Sequence, residues 1–108
     1  ERALTLYRDA LELFAALDHK RGVARLLEAL ASTAAARDRA RHGLTLAAAA
    51  TSLRERIGTP APPEEQAALE AVIRTVRGAL ADDEADAAWG DGTAMPLREA
   101  IRLALDRS

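Results

Sequence analysis

The sequence predicts an all-α fold of antiparallel helical hairpins, and three observations carry that prediction. Ala3, Tyr7 and Ala10 form a helix-spaced pattern that recurs in kind at Gly43, Ala47 and Ala50. A stripe at Leu27, Leu30, Ala31 and Ala34, spaced by threes and fours as on one helix face, precedes the second set. Of the 108 residues 49% are apolar but only 3% aromatic, so Ala and Leu dominate. Both favour helix, and side chains of this size let helix axes approach closely, whereas the β-branched residues that strands prefer are sparse. A chain of this length supports one domain with one modest core, burying roughly 65% of the surface its unfolded form exposes.

The first helix is expected from Ala3 to about Leu17, with apolar residues at Ala3, Leu4, Tyr7, Ala10, Leu11, Phe14 and Leu17. Leu6 and Leu13 widen that face, so it calls for cover on more than one side. Neither a capping residue nor an initiating Met precedes Ala3, as expected of a piece cut from a longer protein. Asp18 to Arg21 is a polar break. Gly22 opens a second helix that runs to about Arg37 on Val23, Leu26, Leu27, Leu30, Ala31 and Ala34. Asp38 to His42 reads as a charged turn, after which Gly43, Leu46, Ala47, Ala50, Leu53 and Ile57 carry the third helix. Connections this short make sequential helices antiparallel.

Gly58 suits a left-handed helix cap, and the prolines at 60, 62 and 63 prevent continuation. Residues 1–58 are thus expected to form repeat hairpins, 59–63 a Pro-rich link and 64–108 terminal capping helices. Pro63 fits the first position of a fourth helix, where Glu64 and Glu65 complement its dipole and Leu69, Val72, Val76 and Leu80 form its inner face. Asp82 or Asp83 is expected to cap a short fifth helix ending at Trp89 and Gly90. Trp89 is expected to be mostly buried against the fourth and sixth helices. The sixth, entered through Pro96, places Leu97, Ala100, Ile101, Ala104 and Leu105 on one side.

With Gly43 at the small position of a second helix, Leu27, Leu30, Ala31, Ala34, Ala47 and Ala50 fall into a register that resembles a tetratricopeptide repeat. Ala3, Tyr7 and Ala10 match the second helix of a preceding repeat, 40 residues earlier, against a usual period of about 34. Leu27, Ala34 and Ala47 replace aromatics of the consensus, and Glu55 stands where proline is common. The strings Ser52-Leu53-Arg54-Glu55-Arg56-Ile57-Gly58, Arg77-Gly78-Ala79-Leu80, Ala87-Ala88-Trp89-Gly90-Asp91-Gly92 and Leu97-Arg98-Glu99-Ala100-Ile101 add a second resemblance. They are similar to the end of the repeat region in large bacterial regulators of the LuxR, MalT-like and AfsR-like type, from the class of signal-transducing ATPases. This resemblance covers nearly the whole chain. It implies a tetratricopeptide-like α-solenoid of about six helices, within a transcriptional regulator whose nucleotide-binding and DNA-binding domains lie elsewhere.

Composition narrows the function. Net charge is −2 and the pI is about 5.7, so direct binding to nucleic acid is not expected. The apolar runs are far shorter than the ~20 residues of a membrane span. The chain holds no Cys, which fits a cytoplasmic location. Neither a Gly-rich phosphate loop nor paired metal ligands occur, so no catalytic residue, cofactor or metal is expected. His19 and His42 are read as solvated turn residues, and Arg37, Arg39, Arg41 and His42 as a solvated basic turn. The acidic run Asp82, Asp83, Glu84 and Asp86 lacks the ligand spacing of a calcium loop.

The resemblance implies a protein-interaction or intramolecular regulatory module. In such repeats the first helix of each hairpin lines the concave face, and its non-core positions there are Arg25, Glu28 and Ser32, followed by Ala35. These are the candidate partner-binding residues. The alternatives are a small ligand-binding bundle and a homodimer formed through the wide apolar face of the first helix.

Overall fold

Asp18, Asp38 and Gly58 lie twenty residues apart and all have positive φ, at 55°, 61° and 69°. Each ends a helix in the same hydrogen-bonded cap. The N–H of the left-handed residue donates three residues back, to Ala15, Ala35 and Glu55. The next N–H donates five back, from His19 to Phe14 (2.9 Å), Arg39 to Ala34 (2.9 Å) and Thr59 to Arg54 (3.2 Å). Together these bonds satisfy carbonyls that the helix end leaves open. Gly adopts this conformation freely, and Asp tolerates it better than most residues. The sequence separation of Ala3 and Gly43 is therefore two twenty-residue units of helix plus link.

The computed structural model describes residues 2–106. These form six helices and no strand: α1 (Arg2–Ala16), α2 (Lys20–Ala36), α3 (Ala40–Ile57), α4 (Pro63–Gly78), α5 (Asp82–Ala94) and α6 (Leu97–Leu105). The all-α expectation holds, with shifts at the ends. α2 begins at Lys20, ahead of Gly22, because His19 caps it: Nδ1 accepts the Gly22 N–H at 2.9 Å. The His19 ring also stacks on Phe14, with centroids 5.0 Å apart. One residue thus closes α1 and opens α2. α3 starts at Ala40, so Arg41 and His42 belong to its first turn, not to a loop.

α5 differs most from expectation. Its N-cap is Ala81, not an aspartate; the Glu84 carboxylate accepts the Ala81 N–H, and Asp83 accepts the N–H of Glu84. Ala81 has no side-chain acceptor, so only half of a capping box is present. Nor does the helix stop at Trp89 or Gly90. It continues to Ala94 because Gly92 is a packing residue: a Cβ there would fall 2.7 Å from Ala48 Cβ and closer still to the Thr45 carbonyl oxygen. The missing side chain lets α5 lie directly on α3.

α3 is the centre of the molecule. Every residue from Gly43 to Ala50 is buried, and α3 packs chiefly on α2 and α5, then on α4 and α6. Leu44, Leu46 and Leu53 of α3 and Leu27 of α2 are fully or almost fully buried, each contributing about 2 kcal/mol by leaving water. Leu69 of α4 and Ala100 and Ala104 of α6 share one core with α1, α2 and α3. The Pro-rich link therefore does not divide the core. A smaller cluster of Leu44, Val76, Ala85 and Ala88 joins α3, α4 and α5. Trp89 packs against both clusters and remains partly exposed, with the Arg77 guanidinium 5.6 Å over its ring.

α6 returns to α1, α2 and α3, and Arg8 of α1 donates to the Asp106 carbonyl at 3.2 Å. The described residues consequently fill a bundle of 37 × 32 × 26 Å. The wide face of α1 is only half covered: Tyr7, Ala10 and Phe14 pack on the core, whereas Leu6, Leu13 and Leu17 are 60%, 57% and 66% exposed. Among the described residues no helix is long and apolar enough to cross a membrane.

Two glycines two residues apart in α5 are expected to respond oppositely to the same change. Gly92→Ala should destabilise by about 2 kcal/mol through overpacking against α3. Gly90→Ala meets nothing within 4 Å and should stabilise by up to about 1 kcal/mol, through helix propensity. Urea unfolding of the two variants checks the pair, and equal effects would contradict the close approach.

Candidate functional site

Arg25, Glu28 and Ser32 lie at i, i+3 and i+7 on α2 and so share a face. In the structure all three line one groove of about 320 Å³ between α1, α2 and α4. Its apolar surface comes from Leu26 and Ala29 of α2 and Ala68, Leu69 and Val72 of α4. Tyr7 of α1 and Glu65 of α4 complete the rim. The candidate residues are therefore brought together, but they do not share one exposure.

Arg25 and Ser32 are exposed, the Arg25 side chain by 73%. Its Nε lies 3.5 Å from Glu65 Oε1 across the groove. Glu28 departs from the expected outward row: its side chain is only 10% exposed, because both carboxylate oxygens accept from Arg54 of α3, at 2.6 Å and 3.1 Å. Arg54 is equally buried, and its Nη1 also donates to the Thr59 carbonyl at 3.2 Å. Since the Thr59 N–H donates to the Arg54 carbonyl, the cap of α3 is tied twice to one arginine, and through it to α2. Glu28 is thus a positioning residue at the base of the groove. Its charge is neutralised from behind before any partner arrives.

Tyr7, Glu65 and Val72 escaped the sequence reading as groove residues. Tyr7 reads as core because it sits in an apolar stripe, and Glu65 reads as a dipole complement in the first turn of α4. Both roles are local. What makes them rim residues is the placement of α4 beside α1 and α2, which no local pattern encodes.

The basic turn also resolves into separate fates. Arg41 is held by α5, with Nη2 3.5 Å from Asp91 and Nη1 3.4 Å from the Glu84 carbonyl. Arg37, Arg39 and His42 face another cleft, on a different side of α2. His42 is partly buried, not a solvated turn residue, and burial pushes its pKa below the ordinary 6.5. The neighbouring Arg39 charge lowers it further, the Asp106 carboxylate opposes, and Arg8 lowers it slightly. Within the acidic run, Glu84 and Asp83 serve the start of α5, and Asp86 pairs with Arg77 of α4 at 3.3 Å. Among the described residues no three His, Cys, Asp or Glu side chains come together as a metal set.

The contrast between neighbours on α2 is measurable. Glu28→Ala strands a buried guanidinium and should cost about 3 kcal/mol. Arg25→Ala, at a surface pair, should change stability by less than about 0.5 kcal/mol. Denaturant titration decides, and a Glu28→Ala variant as stable as Arg25→Ala would refute the role given to the buried pair. In comparisons with protein-family models, curated proteins and solved structures, no match to this chain was found.

Proposed function

We propose that this chain is a non-catalytic protein-interaction module whose binding surface is the α1–α2–α4 groove. The observation that supports this reading is the construction of the groove: an apolar surface of Leu26, Leu69 and Val72, with Arg25, Ser32 and Tyr7 at its rim. Interfaces combine a desolvated apolar centre with a polar rim in this manner, and Tyr and Arg are favoured there. The fitting occupant is a short apolar segment of another protein, or of another domain of the same protein, carrying an acidic residue that competes with Glu65 for Arg25 at the groove rim. Glu28 adds no net charge to that contact, since Arg54 already balances it.

The wider setting belongs to the same proposal. The strings around Ser52–Gly58, Arg77–Leu80, Ala87–Gly92 and Leu97–Ile101 support a place in the tetratricopeptide-like region of a cytoplasmic bacterial transcription regulator of the signal-transducing ATPase class. In that setting the groove transmits a regulatory contact within or between proteins.

Selection from a displayed library of short random peptides tests the groove. Enriched peptides are expected to carry apolar residues beside an acidic one, and to lose at least tenfold in affinity for Arg25→Glu and Ser32→Trp at unchanged melting temperature. Peptides that bind both variants as well as the parent would overturn the reading.

A second reading, self-association through α1, is favoured by the exposed row Leu6, Leu13 and Leu17. On this reading the molecule sediments as a dimer that Leu13→Lys converts to monomer. A monomeric parent at all accessible concentrations removes it.

A further inference from the structure

Helix caps spaced by twenty residues set α1 and α3 in register forty residues apart. The two helices differ in what covers them. On α3, Gly43, Leu46, Ala50, Leu53 and Ile57 recur at threes and fours and so share a face. That face is turned to α2, since a Cβ on Gly43 would meet Ala31, Ala34 and Ala35. Leu46 and Ala50 are fully buried and Leu53 nearly so. Forty residues earlier the row reads Ala3, Leu6, Ala10, Leu13 and Leu17, with the same spacing and the same order of small and large side chains. Here Leu6, Leu13 and Leu17 are exposed.

A second face of α3 does not recur. Thr45 and Ala48 receive Gly92 of α5, and the Ser52 hydroxyl donates to the Thr93 carbonyl at 3.2 Å. Their counterparts on α1 are Thr5, Arg8 and Glu12, all polar. α1 therefore carries the surface that α3 turns to α2 and lacks the one that α3 turns to α5. A single helix of α2's kind matches what is uncovered.

Charge narrows the occupant. The edge beside the row carries Arg2 at its start, then Asp9 and, one turn on, Glu12, all exposed. Among the described residues neither Asp9 nor Glu12 has an ion pair or a side-chain hydrogen bond. An antiparallel second copy centred on Ala10, the middle of the row, would set Asp9 against its own equivalent. We propose that the row receives an amphipathic helix brought by a partner protein. Its small residues lie opposite Ala3, as Ala31 and Ala34 lie opposite Gly43, and Lys or Arg lines the edge that meets Asp9 and Glu12. α2 is itself of this type, with Lys20, Arg21 and Arg25 against the single acid Glu28. None of the five row residues lines the α1–α2–α4 groove, so the two surfaces can be tested separately.

The test joins a second copy of residues 19–40 directly ahead of Glu1 of the full chain, which keeps the forty-residue register because Arg41 corresponds to Glu1. A helix of 17 residues is marginal alone, and the tether supplies a high effective concentration. The melting temperature should rise by roughly 5 °C or more as the leucines of the row leave water. Leu13→Lys should remove that gain, yet shift the untethered chain by less than about 3 °C, as a surface change does. A tether carrying Ala31→Lys and Ala34→Lys should give no gain. One carrying Lys20→Glu, Arg21→Glu and Arg25→Glu should give a smaller gain than the unaltered tether, although acids in its first turn favour it as an isolated helix. No gain from the unaltered tether, an equal gain from either altered tether, or equal shifts by Leu13→Lys with and without the tether would each overturn the proposal. So would an untethered chain that sediments as a dimer and becomes a monomer on Leu13→Lys, because a second copy would then cover the row.

Discussion

The backbone of α3 must be approached closely from two sides at once, and the remainder of the fold follows from meeting that constraint. Gly43 allows α2 to come near: a Cβ there would meet the Ala31 carbonyl oxygen at 3.0 Å. On another side Thr45 and Ala48 receive Gly92 of α5. A helix buried through eight successive residues has no polar face to turn outward, so its neighbours wrap it and its side chains remain small. Its buried hydroxyl is satisfied locally, Thr45 donating to the Arg41 carbonyl at 2.9 Å. The cost of burying a polar group is thereby avoided without drawing on another helix.

Around this centre, α2 does two jobs on two faces. One face carries Arg25, Ser32 and the back-neutralised Glu28 into the groove beside α4. The other carries Leu30, Thr33, Ala34 and Arg37 into the His42 cleft beside α1 and α6. The Glu28–Arg54 pair, with the bond from Arg54 to Thr59, joins the groove to the end of α3. A buried ion pair is weak evidence for net stability, but its geometry fixes where the two helices sit relative to each other, and so fixes the groove wall.

Identical residue types meet different ends here, and position explains each. Arg25 and Arg54 are both helical arginines, one at the solvent edge and one facing a carboxylate between two helices. Arg41 turns to α5, whereas Arg39, two residues earlier in the link, faces the cleft with His42. Gly58 ends a helix with positive φ, Gly22 makes room for the Phe14 and His19 rings, and Gly92 admits a neighbouring backbone. Only the role of Gly58 follows from local spacing; those of Arg25, Arg54, Arg39, Arg41 and Gly92 depend on what a distant segment places opposite the residue.

Helix identity was legible in the sequence because it depends on interactions within a few residues: apolar spacing, proline at the first position of α4, and glycine after α3. The buried row Val23, Leu26, Leu27, Leu30, Ala31 and Ala34 was legible for the same reason, since one periodic face must leave water. Tertiary structure alone decided that Glu28 turns inward to Arg54, that α5 runs through Gly90, and that α6 folds back on α1. It also decided that Leu6 and Leu13 stay exposed. The first three turn on partners between 26 and 98 positions away, and the free energy of such a contact exists only once the chain has closed on itself.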